Sequence, residues 1–369
     1  MIAWISIGVI VLILFQYLIA ILCLEFFWKD HSRKPTRDLP PVSILVAARN
    51  EELDLPRLLK SFEKLDYPAN RIQFLFADDL STDSTCEILK NWCEAKANRS
   101  FISIGSSQTA LYNKNGKANA LAILDGYATG DFYFFTDADC EVNPDWVREG
   151  VSCFEDNVGI VIGITQVQAM GTMEKFQEID WWLTLGFVKV ATDIGVQTTG
   201  LGNNMIICKK AYLKSGGFRG LPFCLTEDLE ISRAIQREGF VIAHQISPEM
   251  HVKTKPEVTF RKLLEQRKRW MQGVMTLPIY WKIILALQVL YFLGLGVVFS
   301  FHVVFGLGII LAKVLLQSMF VAVVARKAGV KINWFYLLVF DFYNFNTTAL
   351  TILYYFWPSK TKWKSRIYP

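Results

Sequence analysis

The chain has 369 residues, of which 52% are hydrophobic and only 20% charged. Soluble domains carry about 25% charged residues, so this chain is apolar for its size, and its mean hydropathy of +0.27 agrees. Ordinary glycine and proline usage (23 and 12) excludes a collagen-like or disordered chain, seven scattered cysteines without a CxxC pair exclude a disulfide scaffold or structural zinc site, and a net charge of +5 is too small to imply a nucleic-acid polymer as partner.

Residues 1–24 carry no charge, and Met1 to Trp28 is long enough to cross a bilayer. A cleaved signal peptide fits less well, because no positive segment precedes the apolar run and no small-residue cleavage site follows it. Lys29, Arg33, Lys34 and Arg37 come next, and positive charge marks the cytoplasmic side. The N-terminus is therefore expected outside and residue 30 onward inside.

From Asp38 to about residue 280 the sequence reads as one soluble domain. Val42–Ala48 is a short apolar run of the kind a buried parallel strand shows, followed by a helix pattern with Leu55, Leu58, Leu59 and Phe62 on one face. Phe74–Ala77 predicts a second strand. Ser84 and Glu87 have the spacing of a capping box for the helix that carries Ile88, Leu89 and Trp92. Strand Phe101–Ile104, helix Gly116–Ala128 and strand Asp131–Thr136 follow, and Asn143-Pro144 supplies an N-cap and first-turn pair for another helix. Strands alternating with helices predict an α/β domain with a parallel or mostly parallel sheet.

In such open sheets ligands bind beyond the carboxyl ends of the strands. Three polar clusters fall there: Ala48-Arg49-Asn50-Glu51-Glu52, Asp78-Asp79 with Ser81-Thr82-Asp83, and Thr136-Asp137-Ala138-Asp139. Carboxylates gathered at one edge repel one another, so they serve a cation or accept hydrogen bonds from a ligand. Asp137 and Asp139, two apart on an extended segment, can share one hard divalent ion, which takes oxygen ligands and keeps phosphate partners. An isolated D-x-D is more often a solvated loop, and it is the ordered set of three acidic strand ends that favours the ligand reading.

Residues 172–194 place Phe176, Trp181, Trp182, Leu185 and Phe187 among alternating charges, which suits either a membrane-interface helix or a core helix. Thr226-Glu227-Asp228 reads by itself as a helix start with acidic residues in the first turn. Arg261, Lys262, Arg267, Lys268 and Arg269 read by themselves as a basic helix beside lipid headgroups. His244, His251 and His302 show no ligand spacing.

The apolar block from Lys282 to Arg326 has room for two tightly connected spans, and Arg326, Lys327 and Lys331 mark a cytoplasmic turn. A third block, 334–357, holds Asp341, Asn344, Asn346, Thr347 and Thr348 near its middle. A complete crossing there would put the basic tail 358–369 outside, so a re-entrant hairpin with a cytoplasmic tail is expected, the alternative being an ordinary span whose polar residues face a neighbouring helix. The resulting organisation is an N-terminal transmembrane helix over 1–28, a cytoplasmic domain over 38–280, a transmembrane or re-entrant region over 281–357 and a basic tail.

Together, PVSILVAARNEE, DDLSTDST, NGKANAL, TDADC, TEDLEIS and QRKRW occur in an order that resembles membrane-bound family 2 glycosyltransferases of the GT-A fold, over residues 38–270. The ending Trp363-Lys364-Ser365-Arg366-Ile367-Tyr368 is similar to the WxGRxY of ceramide-glucosyltransferase-like members, with Ser365 in place of the glycine. The resemblance implies a mixed-sheet, Rossmann-like GT-A domain flanked by transmembrane helices, and it implies roles. Ala47, Arg49 and Glu51 would frame the nucleoside, and Asp79, with Asp78 beside it, would accept from the base. Lys117 would approach the nucleotide. Asp137 would reach the sugar or the metal, and Asp139 would ligate the metal. Asp228 would be the general base, and Gln266, Arg269 and Trp270 of the QxxRW motif would cradle the diphosphate and the acceptor mouth. The implied cofactor is a divalent cation, Mg or Mn, and the implied donor a nucleotide-sugar, by family frequency a uridine diphosphate sugar. The implied acceptor is a lipid or glycan, at the cytoplasmic face of a bacterial inner membrane whose lipid surrounds the protein. Rival readings are a polysaccharide synthase subunit, which usually needs more spans, and a non-catalytic nucleotide-sugar-binding membrane protein, which the intact set of motifs disfavours.

Overall fold

The computed structural model describes residues 1–33, 39–364 and 366–368. The expected domain start at Asp38, the flanking charges Lys34 and Arg37, Ser365 of the tail motif and the terminal Pro369 lie outside the described residues. In chain order the elements are α1 (Ile2–Phe26), β1 (Val42–Ala48), α2 (Leu55–Phe62), β2 (Ile72–Asp78), α3 (Thr85–Glu94), β3 (Arg99–Ser103), α4 (Gly116–Asp125), β4 (Phe132–Phe135), β5 (Cys140–Glu141) and α5 (Trp146–Ser152). There follow β6 (Val158–Ile162), β7 (Ile164–Val167), α6 (Thr172–Asp193), β8 (Met205–Cys208), α7 (Lys209–Lys214), α8 (Glu227–Arg237), β9 (Val241–His244) and β10 (His251–Thr254). The chain ends with α9 (Phe260–Met275), α10 (Ile279–Phe301), α11 (Val303–Lys327), α12 (Trp334–Phe356), β11 (Thr361–Trp363) and β12 (Arg366–Tyr368).

Two compact units form. The sheet unit comprises Lys29–Gln168 and Ala191–Lys255, and the helical unit Met1–Trp28, Ala169–Val190 and Pro256–Pro369. The domain expected over 38–280 is thus interrupted, because α9 and most of α6 group with the apolar helices.

The sheet unit is built on seven strands in the order β3-β2-β1-β4-β8-β6-β9, with β5-β10-β7 as a second, three-stranded sheet. The first four strands are parallel, and β8 is antiparallel to both of its neighbours. Register decides the site: Ala47 lies beside Ala77 and Ala48 beside Asp78, so the segments after β1 and β2 leave the sheet at one level. The strands are apolar on both faces because helices cover both. Ile44, Val46, Phe76 and Phe134 have no exposure, and α2 packs Leu55, Leu58, Leu59 and Phe62 onto them.

Two local expectations are corrected. Ser84 is the N-cap of α3 but makes no side-chain cap bond; Asp83, a better acceptor, takes the Thr85 N–H at 3.0 Å instead. Helix α5 begins at Trp146, after Asp145, because the Asn143 side chain closes a turn onto the Asp145 N–H at 2.9 Å.

In the helical unit α1, α10 and α11 are each long and apolar enough to cross a membrane, the three such helices among the described residues. Helix α1 runs against α10, where Gly294 abuts Ser6 and Gln288 bonds Gln16 at 3.0 Å. It runs alongside α11, tied by Tyr17 to Gln317 (3.1 Å) and by Glu25 to Arg326 (2.5 Å). Helix α12 is continuous over 23 residues, so the expected re-entrant break does not form. Its polar residue Asp341 is instead paired with Lys313 of α11, the arrangement expected of polar residues that face a neighbouring helix. Helix α6 packs as a core helix: Trp182 is fully buried, Phe176 stacks on Tyr343 at 5.0 Å and Phe187 on Phe320 at 4.6 Å. The tail strands β11 and β12 pair in an antiparallel hairpin, and Gln272 of α9 donates to Thr361 at 2.8 Å.

Candidate active site

The sheet unit holds nine of the expected residues, in two groups at and beside the carboxyl edge of β2, β1 and β4. Arg49 and Asn50 leave β1, and Asn50 takes a positive φ of 52° that turns the chain back across the edge. Arg49 donates to the Asp79 carbonyl, and the Asp79 N–H donates to the Ala48 carbonyl at 2.8 Å, which laces the two strand ends together. Asp78 and Asp79 are both buried. One Asp78 oxygen accepts from the Ser81 N–H at 3.2 Å, while its other oxygen is buried without a hydrogen-bond partner. A buried carboxylate oxygen lacking a donor is costly unless a ligand or water supplies one.

The second group forms where two helices start together. Asn115, N-cap of α4, accepts from the N–H groups of Lys117 and Ala118 and donates to Glu227 Oε2 at 3.1 Å. Lys117 Nζ lies 2.5 Å from Asp137 Oδ1 and 3.1 Å from Glu227 Oε1. Burial disfavours the Lys117 charge, but Asp137, Glu227 and Asp228 outweigh it and raise its proton affinity, so it is an ammonium. Asp228 is held by the Gly202 N–H (3.1 Å) and by the Leu229 N–H (2.9 Å). Enclosure and the neighbouring Glu227 carboxylate raise the Asp228 pKa, against the pull of Lys117. A Cβ at position 202 would stand 3.1 Å from Lys117 Nζ, so glycine there permits the close approach. Thr226 is the N-cap of α8 without a side-chain cap bond, which leaves the first turn to Glu227 and Asp228.

Asp137 and Asp139 offer hard carboxylate oxygens and keep part of their side chains exposed, 35% and 18%. Among the described residues no cluster of three Asp, Glu, His or Cys side chains is arranged to hold an ion alone. Two carboxylates with room beside them fit a divalent ion that completes its shell with phosphate oxygens and water. The carboxylates already face cations of the chain: Lys117 at Asp137, and Lys255 at Asp139 Oδ2 (3.5 Å). Arg57 donates to the Asp139 carbonyl at 2.5 Å and fixes the turn.

Lys255, Asp54, Asn115 and Glu227 were not singled out as site residues by the sequence. Glu227 sits inside a recognised motif, where it reads as a helix-start charge. Lys255 follows β10 in an unremarkable Thr-Lys-Pro, and only the pairing of β10 with β5 brings it to Asp139.

The remaining expected residues lie together on α9 in the helical unit. Gln266 donates to Glu257 at 3.0 Å, Trp270 meets Trp181 edge-on at 5.6 Å, and Arg267 pairs with Asp180. Arg269 is on the same helix, which is anchored by Lys268 donating to the Trp357 and Ser359 carbonyls at 2.9 Å each.

Comparison with known proteins agrees with the geometry. The profile of Glycosyl transferase family 21 matches residues 8–369. The chain is 26% identical over 264 residues to the beta-monoglucosyldiacylglycerol synthase of Nostoc sp., covering 70% of this chain and 54% of that protein. The same enzyme of Synechocystis sp. is 26% identical over 263 residues, covering 66% and 52%. The chain thus spans about half the length of the curated relatives it matches. Among solved structures, a mannosyltransferase from Pyrobaculum calidifontis, in complex with GDP-Man and Mn2+, superposes with a TM-score of 0.61 at 16% identity, over 98% of this chain and all of that one; at this identity the likeness shows the fold. The resemblance to ceramide-glucosyltransferase-like enzymes is borne out: with a GT-A-like mixed sheet and a profile match over nearly its whole length, this chain belongs to Glycosyl transferase family 21.

Proposed function

We propose that this protein is an inverting, cation-dependent glycosyltransferase that moves a hexose from a nucleotide-sugar, a uridine diphosphate sugar by preference, to a lipid acceptor at the cytoplasmic membrane face. The lipid class is suggested by relatives named as glucosyldiacylglycerol synthases. The observation that carries the chemistry is Asp228. It is an enclosed carboxylate of raised pKa, oriented by two backbone N–H groups and placed beside Lys117 and the D-x-D turn.

In this reading Arg49 and Glu51 order the strand ends around the nucleoside, and Asp78 and Asp79 accept from the base edge. Ala47 lines the strand end beside them. Lys117 and Asp137 face the donor's phosphates and sugar. A divalent ion on Asp139, with Asp137, would neutralise charge on the diphosphate leaving group. Asp228 takes the proton from the acceptor hydroxyl as that oxygen bonds to the anomeric carbon and the diphosphate departs. Among the described residues no second carboxylate is committed as a nucleophile, which favours a single displacement. Gln266, Arg269 and Trp270 serve the diphosphate and the acceptor mouth.

The topology we propose has α1, α10 and α11 crossing, with the sheet unit cytoplasmic. Helix α12 follows α11 after a six-residue link and is tied at its far end to α9, which leads directly into α10. That connectivity supports a cytoplasmic tail.

The test is product analysis with labelled nucleotide-sugars and membrane lipid extracts. A small, lipid-extractable labelled product supports the reading. A long polymer favours a polysaccharide synthase, and absence of transfer with retained nucleotide binding favours a non-catalytic binder.

A further inference from the structure

The acidic corner at Asp139 has an internal cation with more than one place to go. Lys255 Nζ stands 2.6 Å from Asp54 Oδ2, 2.9 Å from Glu51 Oε2 and 3.5 Å from Asp139 Oδ2. Its contact with Asp139 is the longest of the three, so it can release that oxygen and remain paired twice. Lys117 plays the same part at the other carboxylate, between Asp137 (2.5 Å) and Glu227 (3.1 Å).

A divalent ion arriving alone at Asp139 would meet an ammonium within a few ångströms. Repulsion between charges that close, in a partly enclosed site, is large enough to decide occupancy. A nucleoside diphosphate changes the balance. Its negative charge attracts both ammonium groups and offers the ion further oxygen ligands.

Building on the donor site proposed above, we infer that Lys255 is a built-in counter-cation of the D-x-D turn, which keeps the divalent ion out until a nucleoside diphosphate arrives and so makes the two bind as a coupled pair. The coupling is reciprocal: the ion tightens the diphosphate by the same factor as the diphosphate tightens the ion. Lys255 sets its size by neutralising Asp139 in the resting site, and Lys117 contributes at Asp137.

The experiment measures Mn2+ binding by calorimetry on the full-length protein in detergent, with and without saturating UDP or GDP. In the wild type Mn2+ binds weakly alone and at least about tenfold more tightly with one of the nucleotides. Lys255→Gln, which removes the cation shared by Asp54, Glu51 and Asp139, binds Mn2+ alone at least about tenfold more tightly than wild type, and the nucleotide effect shrinks to match. Lys255→Arg follows the wild type. Asp54→Asn, which removes the shortest competing partner and drives Lys255 toward Asp139, shifts free Mn2+ binding in the opposite direction, so the inference does not depend on one variant folding well. Equal Mn2+ affinity in wild type and Lys255→Gln, with a normal nucleotide effect in both, overturns the inference and leaves the donor site standing. Tighter Mn2+ binding in Lys255→Gln with no response of either protein to UDP or GDP leaves the exclusion by Lys255 standing but overturns the coupling, and with it the donor site.

Discussion

Asn115 Nδ2 donates to Glu227 Oε2 at 3.1 Å, and this bond joins the N-terminus of α4 to the N-terminus of α8. Both helix starts present backbone N–H groups and partial positive charge to the same small volume. Lys117, Asp137 and Asp228 collect there, so the position of the candidate base depends on a side chain that itself does no chemistry.

Replacing Asn115 by Ala removes the cap of α4 and leaves Glu227 short of a donor. Stability should fall by about 1–2 kcal/mol, the usual effect of losing such a cap. Transfer should fall further than the folded fraction does, because Glu227 and Lys117 lose their alignment. Denaturant titration in detergent, run beside rate measurements, checks both; unchanged stability would show that the cap is dispensable.

Asp228→Asn keeps the shape of the first turn of α8 but cannot take a proton. Transfer should drop by roughly 10²–10⁴-fold while donor affinity stays near wild type. The base works only when ionised, and its pKa is raised by enclosure and by Glu227. Wild-type transfer should therefore decline as pH falls through a value above the usual carboxylate range, and this acid limb should be missing from the variant. A variant with near wild-type rate, or an unchanged acid limb, refutes the assignment.

Asp139→Asn weakens the expected cation site without removing the turn that Arg57 fixes. Mn2+ and nucleotide affinity should fall together, and transfer with them. Full wild-type activity in excess chelator would exclude the cation from the reaction.

The buried Lys313 of α11 pairs with the part-buried Asp341 of α12, supported by Lys313 donating to Gln317 at 2.8 Å. Breaking such a pair from one side leaves an uncompensated charge, so Lys313→Met should destabilise by about 3–5 kcal/mol. Lys313→Met combined with Asp341→Leu should recover most of that loss. Additive losses in the double variant, seen as detergent thermal midpoints, would show that the two side chains do not act as a pair.

A reporter fused after Pro369 should label as cytoplasmic, because α12 begins shortly after the C-terminal end of α11 and its own C-terminal end is tied to α9, just before the N-terminal end of α10. Reproducible labelling on the opposite side would mean that α12 crosses the membrane.

Much of this protein is written in local patterns. Apolar runs bounded by charge marked α1 and the α10–α11 pair, since crossing a bilayer demands about 20 apolar residues in a row. Strand β1 was legible residue for residue, because a strand buried on both faces is a continuous apolar run. The D-x-D turn and the Thr-Glu-Asp start of α8 were visible because strand ends and helix starts place chemistry at fixed offsets. Pairings between distant segments were not legible. That Lys255 lies beside Asp139 depends on β10 pairing with β5, and that Asp341 needs no break in α12 depends on Lys313 of another helix. An ammonium carries no mark in the sequence of which carboxylate will neutralise it. Only the packing of the chain brings the two within the few ångströms over which charges in a partly buried site decide each other's state.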